Sequence, residues 1–282
     1  MRAGARPRRV RLGRLRPHQG PHQPPHPGNA RLPHQRRGHA SRRPRSSGGP
    51  RQAPGTRVVS DTIRTEIETT CRNARRSARQ LSRLDDRARS DALRRTALRL
   101  RKETVRIPAA NDEDLAAGRE AGLTSALLDR LALTPERIDA MAGGLESVAA
   151  LPDPLADSIA EWTAPAGLHI RQVRIPIGVI AVIYESRPNV TADVAALCVK
   201  SGNAVALKGG KEAIRSNTII ADLITEELTA AGIPPAAVQL IRSTDCEATW
   251  ALLAQEEHVD VVIPRGGPGL VRAIAEHSKV TV

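Results

Sequence analysis

The 282-residue sequence has little aromatic content, few cysteines and no long apolar run. Aromatic residues make up 1% of it and Phe is absent, so a core has to be filled by Ala, Val, Leu and Ile. The three cysteines, Cys71, Cys198 and Cys246, are widely spaced and form no CxxC motif. This pattern argues against a disulfide framework and predicts reduced thiols in a cytoplasmic protein. No apolar run approaches the roughly 20 residues of a membrane span, and the amino terminus lacks the apolar segment of a signal peptide, so we expect no membrane association.

The formal net charge of +13 is concentrated at the amino terminus. Residues 1–57 contain fifteen Arg and no Asp, Glu or Lys, whereas the remainder carries 28 basic and 30 acidic residues. With ten Pro and eight Gly, this stretch cannot bury enough apolar surface to offset its chain entropy. We therefore predict a disordered Arg/Pro-rich extension over 1–57.

Two interpretations of this extension stay open. A basic arm would grip the phosphates of a nucleic acid, but the stretch offers no aromatic side chain on which bases stack. A non-native extension is the interpretation that the composition favours. Its five His fall at Pro-broken spacings that define no rigid metal site.

Hydrophobic periodicity predicts helices in the first part of the remaining chain. Leu93, Ala97 and Leu100 lie at spacings of three and four residues, as on one face of a helix. Thr134 is a suitable cap for a helix whose first turn contains Pro135. The helices are predicted over residues 61–105, 112–121 and 135–150.

From residue 168 the pattern changes to strands that alternate with helices. Residues 169–175 alternate as a half-exposed strand would, and residues 177–183 are continuously apolar, as in a strand covered on both faces. Further strands are predicted over 204–207, 238–241 and 259–263, with helices over 191–200, 212–230 and 247–255 and a last helix that ends at 276. This alternation predicts an α/β fold in which amino-terminal helices are followed by a Rossmann-like parallel sheet.

In such a sheet, ligands bind at the carboxyl ends of the strands. Residues 184–190 (YESRPNV) follow the apolar strand directly. There Asn189 can direct its amide N–H toward developing negative charge, and Arg187 can contact an anionic substrate. A plain turn, in which Pro188 and Asn189 only break the strand, is the simpler interpretation of this local sequence.

Two glycine-rich junctions suit phosphate groups. In residues 207–212 (LKGGKE), Lys208 and the exposed backbone N–H groups of Gly209 and Gly210 suit an anionic ribose or phosphate, although a turn with solvated lysines is also consistent with them. In residues 264–269 (PRGGPG), Gly266 and Gly267 allow the backbone to approach a pyrophosphate at a helix start. Neither junction has the GxGxxG pattern, so each signal is weak by itself and more persuasive in combination.

Longer motifs make a family recognisable. Residues 176–190 (PIGVIAVIYESRPNV) and 196–204 (ALCVKSGNA) closely resemble the gamma-glutamyl phosphate reductase family, which belongs to the aldehyde dehydrogenase superfamily. So do residues 129–131 (DRL), 141–145 (MAGGL) and 263–270 (IPRGGPGL). The resemblance covers about residues 60–282, and residues 1–57 match nothing in the family.

The resemblance implies an aldehyde-dehydrogenase-like fold and a cofactor-binding domain over 58–282. It also implies NADPH-dependent reduction of L-glutamate 5-phosphate to L-glutamate 5-semialdehyde in proline biosynthesis, by a protein that is a homo-oligomer at full length. By position, Asn189 matches the asparagine that helps to hold the oxyanion. Lys208 matches the lysine that meets the adenosine ribose or its phosphate, and Gly266 and Gly267 match the turn at the pyrophosphate.

The catalytic cysteine of the family is expected beyond Val282. Cys198 falls inside a family motif but is predicted to be a small packed residue, and Cys71 and Cys246 match no nucleophile position. We therefore expect this chain to bind cofactor without turnover. The leading hypothesis is a truncated reductase. The alternatives are a non-catalytic nucleotide-binding remnant and a nucleic-acid-binding protein that acts through the basic arm, and the last is disfavoured by the lack of stacking residues.

Overall fold

The computed structural model describes residues 59–282, so the extension predicted over 1–57 lies outside the described residues. A group of helices comes first and a parallel sheet with its covering helices follows. The helices are α1 (Asp61–Leu81), α2 (Asp86–Lys102), α3 (Arg106–Glu120), α4 (Ser125–Leu131), α5 (Pro135–Ala150), α6 (Asn189–Lys200), α7 (Ile214–Ala230), α8 (Cys246–Leu253) and α9 (Pro268–His277). The strands are β1 (Ser158–Thr163), β2 (His169–Val173), β3 (Val179–Tyr184), β4 (Ala204–Lys208), β5 (Val238–Leu240) and β6 (Val261–Arg265).

Side-chain caps determine where several helices begin. The Thr134 hydroxyl accepts a hydrogen bond from the third residue of α5, and Pro135 is the first residue of that helix, which confirms the predicted start. The helices predicted over 61–105 are two, α1 and α2. α1 ends at Leu81, and Asp85 caps α2 by accepting a hydrogen bond from the Ala88 N–H at 2.7 Å. An acidic cap inside the predicted range therefore starts the second helix.

The sheet is a parallel, four-stranded one with the order β5-β4-β3-β6. Every residue of β3 is buried, as predicted for a strand covered on both faces. Ile180 and Val182 pack with apolar residues of α2, α5, α6 and α7, whereas Val179 and Ala181 pack with those of α1 and α8. Alternate side chains of β3 therefore pack against helices on opposite faces of the sheet. The fold has three layers, with the sheet between two layers of helices.

A separate antiparallel ribbon joins the helical part to the sheet. β1 pairs with β2, from Ser158 opposite Val173 to Thr163 opposite His169. Only Ile170 of β2 is partly buried, so the prediction of a half-exposed strand over 169–175 was wrong in length and in burial. β1 was not predicted. Only one of its residues is partly buried, so its sequence shows no alternation of apolar and polar residues that would indicate a strand. α4 was missed as well, because its seven residues are too few to show a helical period.

Candidate cofactor and substrate site

The three predicted junctions lie at one edge of the sheet. In the parallel register, Ile183 of β3 is opposite Lys208 of β4, and Tyr184 of β3 is opposite Arg265 of β6. The segments that follow these strands therefore leave the sheet side by side. The turns at Asn189, Lys208 and Gly266 therefore lie at one edge, the edge at which open α/β sheets bind ligands.

Two carboxylates hold the turn after β3 against the other two junctions. Glu212 Oε1 accepts hydrogen bonds from the Ser186 backbone N–H at 2.9 Å and from the Ser186 hydroxyl. Glu185 Oε2 accepts one from the Gly267 N–H at 2.9 Å. Ser186 has a backbone φ of +23°, a value that is rare for residues other than glycine. The contact with Glu212 stabilises this conformation and thereby fixes the path of the chain toward Asn189.

Asn189 is the first residue of α6 and not part of a turn that merely breaks the strand. Its amide Nδ2 donates a hydrogen bond to Asp193 Oδ2 at 3.0 Å, one helical turn later. Because a carboxylate only accepts, this contact fixes the amide with the NH₂ group toward Asp193. Burial raises the pKa of Asp193, against the opposing effects of the Asn189 hydrogen bond and the positive charge of Arg265.

Lys208 is the last residue of β4 and is 6% exposed, so the interpretation as a solvated lysine was wrong. Its ammonium donates to the Gly209 carbonyl at 3.3 Å, and no carboxylate pairs with it within residues 59–282. Burial lowers the pKa of Lys208, while the nearby Cys246, Glu212 and Asp245 raise it by smaller amounts. A buried ammonium without an ion pair is a candidate for an anionic ligand.

The two glycines after Lys208 are packed closely by their neighbours. A Cβ on Gly209 would lie 2.3 Å from Asn217 Nδ2, and one on Gly210 would lie 2.2 Å from Glu212 Oε1. Gly209 is buried and Gly210 is partly exposed, so the expectation that both backbone N–H groups are exposed was wrong for Gly209. Close packing by side chains accounts for glycine at both positions.

The turn after β6 begins later than the sequence indicated. β6 was predicted to end at residue 263, but it continues through Arg265. Gly266 and Gly267 then lead into α9, and a Cβ on Gly266 would lie 2.7 Å from the Glu185 carboxyl carbon. A cavity of about 330 Å³ opens here, lined by Glu185, Arg265 and both glycines. We call it the glycine cavity.

A second cavity, of about 500 Å³, adjoins the first. Its polar lining includes Asn189, Asp193 and Asp129, and its apolar lining includes Leu133 and Met141. Two of the motifs noted in the sequence, at 129–131 and 141–145, therefore contribute to the same space as Asn189. We call it the Asn189 cavity.

None of the three cysteines lines either cavity. Cys71 and Cys198 are buried, which raises the pKa of each to about 12 and keeps both thiols protonated at neutral pH. Cys198 is packed in α6, as predicted. Cys246 is exposed at the start of α8.

Within the described range, no cluster of three or more His, Cys, Asp or Glu side chains is arranged to hold a metal ion. Nor does any helix of residues 59–282 combine the length and the apolar character needed to cross a bilayer.

Comparison with known proteins identifies the family. Residues 51–282 match the family model described as the aldehyde dehydrogenase family. The chain belongs to the aldehyde dehydrogenase family. Within this family it is 50% identical over 206 residues to the gamma-glutamyl phosphate reductase of Anaeromyxobacter sp. (strain Fw109-5), a match that covers 73% of this chain and 48% of that protein. It is 49% identical over 217 residues to the enzyme of the same name from Moorella thermoacetica, covering 77% of this chain and 52% of that protein.

A solved structure has the same fold over the part that this chain matches. The crystal structure of gamma-glutamyl phosphate reductase from Thermotoga maritima superposes with a TM-score of 0.74 at 37% identity, covering 78% of this chain and 52% of that one. The predicted α/β fold of aldehyde-dehydrogenase type is thereby confirmed. The chain spans about half the length of the curated relatives it matches.

Several polar residues of this site, among them Asp193, Glu185, Glu212 and Arg130, were not predicted from the sequence. Asp193 follows Asn189 by four residues, so helical spacing was a usable signal for that pair. Glu185 and Glu212 lie inside motifs that were noted, but their contacts join segments that are 82 and 26 residues apart. Arg130 reaches the site from α4, a helix that the sequence did not reveal.

Proposed function

We propose that residues 58–282 are the nicotinamide-cofactor-binding part of a gamma-glutamyl phosphate reductase. In this proposal NADPH binds along the carboxyl edge of the sheet, and the whole protein reduces L-glutamate 5-phosphate to L-glutamate 5-semialdehyde and phosphate in proline biosynthesis. The observation that carries the proposal is the convergence of Lys208, Gly266 and Gly267 on one sheet edge beside Asn189. The names of the relatives support the choice of substrate.

The residues of the edge fit the phosphates of a dinucleotide. The Gly267 N–H, at the start of α9, already binds a carboxylate oxygen of Glu185, so it is oriented to bind an anionic oxygen. Gly266 lets the backbone approach closely, because a Cβ there would contact Glu185. Lys208 supplies a buried positive charge at the end of β4, which is separated from β6 by β3, and this charge suits the adenosine ribose or its phosphate. We propose no metal for this site.

Each residue of the edge has a defined task in this proposal. NADPH, when held by Lys208, Gly266 and Gly267, would supply the hydride that reduces the acyl carbon. Asn189 holds the acyl oxygen with the amide hydrogen that is not used by Asp193, which stabilises the negative charge that develops there. Asp193 keeps that amide in one orientation. Lys208, Gly266 and Gly267 hold the cofactor.

A non-catalytic nucleotide-binding protein is the second candidate. It is favoured by the burial of Cys71 and Cys198, which leaves neither thiol able to act as a nucleophile. The two candidates share cofactor binding and differ in turnover. Oxidation of NADPH by the purified chain in the presence of L-glutamate 5-phosphate would exclude the second candidate and would also overturn our expectation that this chain does not turn over.

The experiment that tests cofactor binding is a fluorescence titration of NADPH with the full chain. We expect saturable binding that is tighter for NADPH than for NADH, and a loss of affinity of at least tenfold in Gly267→Val, whose side chain would enter the space of the phosphates. A Cβ added at Gly267 would have one heavy atom within 4 Å, Glu185 Oε2 at 3.9 Å, so we expect this variant to keep the fold. Gly143→Val, on α5 with the nearest atom at 4.0 Å, is the matched control. Absence of binding, or equal binding by Gly267→Val, would refute the proposal.

The resemblance to the reductase family also leads us to propose a cytoplasmic location and a homo-oligomeric whole protein. Size-exclusion chromatography with light scattering on the whole protein tests the second of these. A monomer at micromolar concentration would contradict it.

A further inference from the structure

The two cavities of the site share part of their lining. Arg130, from α4, and Arg187, from the turn after β3, line both the glycine cavity and the Asn189 cavity. Their side chains therefore lie where the two spaces meet. Arg187 precedes Asn189 by two residues, and both residues line the Asn189 cavity.

Both arginines are available to a ligand. Each is exposed, and within residues 59–282 neither guanidinium has a carboxylate or other polar partner. Arg137, a third arginine of the Asn189 cavity, is different, because it is paired with the Asp129 carboxylate at 2.9 Å and donates to the Ala132 carbonyl at 3.0 Å. The cavity thus contains one arginine with a structural role and two whose donors are free.

We infer that Arg130 and Arg187 bind the phosphoryl group of an acyl phosphate substrate at the junction of the two cavities, an inference that rests on the proposed function. Two guanidinium groups at one place match a phosphoryl dianion in charge and in hydrogen-bond geometry. The phosphoryl group is joined directly to the acyl group that reacts. Placing it at the junction puts the acyl carbon beside Asn189 on one side and beside the proposed cofactor space on the other.

The rest of the Asn189 cavity suits the remainder of an amino-acid acyl phosphate. Leu133 and Met141 provide an apolar wall for methylene groups. Asp129 and Asp193, which are already bonded to Arg137 and Asn189, add carboxylate oxygens that can also accept from an ammonium group. Free arginines lie at the junction, and the carboxylates of Asp129 and Asp193 line the Asn189 cavity, so a ligand is favoured whose ammonium group lies in that cavity and whose anionic group points toward the junction. This orientation assigns the phosphoryl group, rather than an α-carboxylate, to Arg130 and Arg187.

The test is a calorimetric titration of the full chain with inorganic phosphate at constant ionic strength, carried out with and without saturating NADPH. The variants are Arg130→Gln, Arg187→Gln and the double variant. Arg174→Gln is the matched control, because it removes the same charge from an exposed position between β2 and β3 that lines neither cavity. The extension with its fifteen Arg is common to all samples, so its contribution cancels in the comparison. L-glutamate is titrated in parallel as the probe for carboxylate binding.

We expect phosphate to bind the NADPH-saturated chain, with an affinity that falls about tenfold in each single variant and is unchanged in Arg174→Gln. NADPH affinity should change far less than phosphate affinity in the same variants. The inference is overturned if phosphate does not bind, if the double variant binds it as well as the wild type, or if NADPH displaces it, since displacement would assign the arginines to the cofactor phosphates. It is also overturned if glutamate affinity, and not phosphate affinity, depends on the two arginines.

The outcomes separate this inference from the proposed function. Failure of the wild type to bind NADPH refutes the proposed function, whatever phosphate does. If NADPH binds normally and the phosphate affinity is the same in the wild type and in the Arg130 and Arg187 variants, only the assignment of the phosphoryl group to these arginines is refuted.

Discussion

Glu185 places a carboxylate oxygen 2.9 Å from the backbone nitrogen of Gly267, at the start of α9. A helix start favours an anion, and here the anion is a side chain of the protein itself. If the pyrophosphate of the cofactor binds at this helix start, it has to displace the carboxylate or tolerate its charge. The contact thus opposes cofactor binding while it orders the free site.

Glu185→Gln is therefore predicted to bind NADPH more tightly, by about fivefold, because a negative charge is removed from the proposed place of the pyrophosphate. The fluorescence titration described above measures this change. Glu276→Gln, at an exposed position near the end of α9, is the charge-matched control and should leave the affinity unchanged. Weaker binding by Glu185→Gln would show that the carboxylate assists the cofactor.

The stability of the chain at alkaline pH should depend on Lys208. Burial lowers the pKa of Lys208 in the folded chain, whereas in the unfolded chain it returns to about 10.4. Between these two pKa values the unfolded chain binds more protons than the folded one, so the free energy of unfolding rises with pH across this interval and levels off above about pH 10.4. Lys208→Met removes this contribution.

We expect the difference in unfolding free energy, wild type minus Lys208→Met, to increase between pH 7 and about pH 10. Urea unfolding at a series of pH values measures it. Lys211→Met changes an exposed lysine three residues later and serves as the control. A difference that stays constant or falls with pH would mean that Lys208 is solvated in the folded chain.

Local patterns were sufficient to predict some of this site and insufficient for the rest. The buried run of β3 and the start of α5 at Pro135 depend on neighbouring residues, so their sequence carried the signal. The parallel sheet also predicted that the three strand ends share an edge, because topology alone requires it. The contact of Glu185 with Gly267 joins two segments that only the finished fold brings together. The same holds for Arg130, whose nearness to Arg187 depends on how α4 packs.

The three thiols should differ in reactivity. Burial raises the pKa of Cys71 and Cys198 to about 12, and both are inaccessible, whereas Cys246 is exposed. A disulfide reagent at pH 8 should therefore modify one thiol per native chain and all three after unfolding, as counted by absorbance and by mass spectrometry. Cys246→Ser should reduce the native count to none. Rapid modification of a second thiol in the native wild type would contradict the burial of Cys71 and Cys198.

Gly209 is predicted to be the glycine of this edge least able to accept a side chain. Its Cβ would lie 2.3 Å from Asn217 Nδ2 and 3.2 Å from the ring of Tyr184. Neither neighbour moves freely, because Thr191 donates to Asn217 Oδ1 at 3.0 Å and shares a 2.7 Å hydrogen bond with the Tyr184 hydroxyl, and all of these side chains are buried. Gly209→Ala should therefore lower the free energy of unfolding by about 1–3 kcal/mol.

Gly269→Ala, at the same edge of the sheet, is predicted to have the opposite effect on the free energy of unfolding. Gly269 lies in the first turn of α9 with no heavy atom within 4 Å of its Cβ direction, so alanine there should raise the free energy of unfolding by about 0.5 kcal/mol. Urea unfolding of both variants measures the two changes in unfolding free energy. Opposite signs would show that close packing at Gly209, and not the replacement of glycine by alanine in general, causes the loss of stability. If Gly209→Ala is as stable as Gly269→Ala, the hydrogen bonds among Tyr184, Thr191 and Asn217 do not hold that side of the strand end rigid. Lys208, which ends the same strand, would then have room to move toward a ligand.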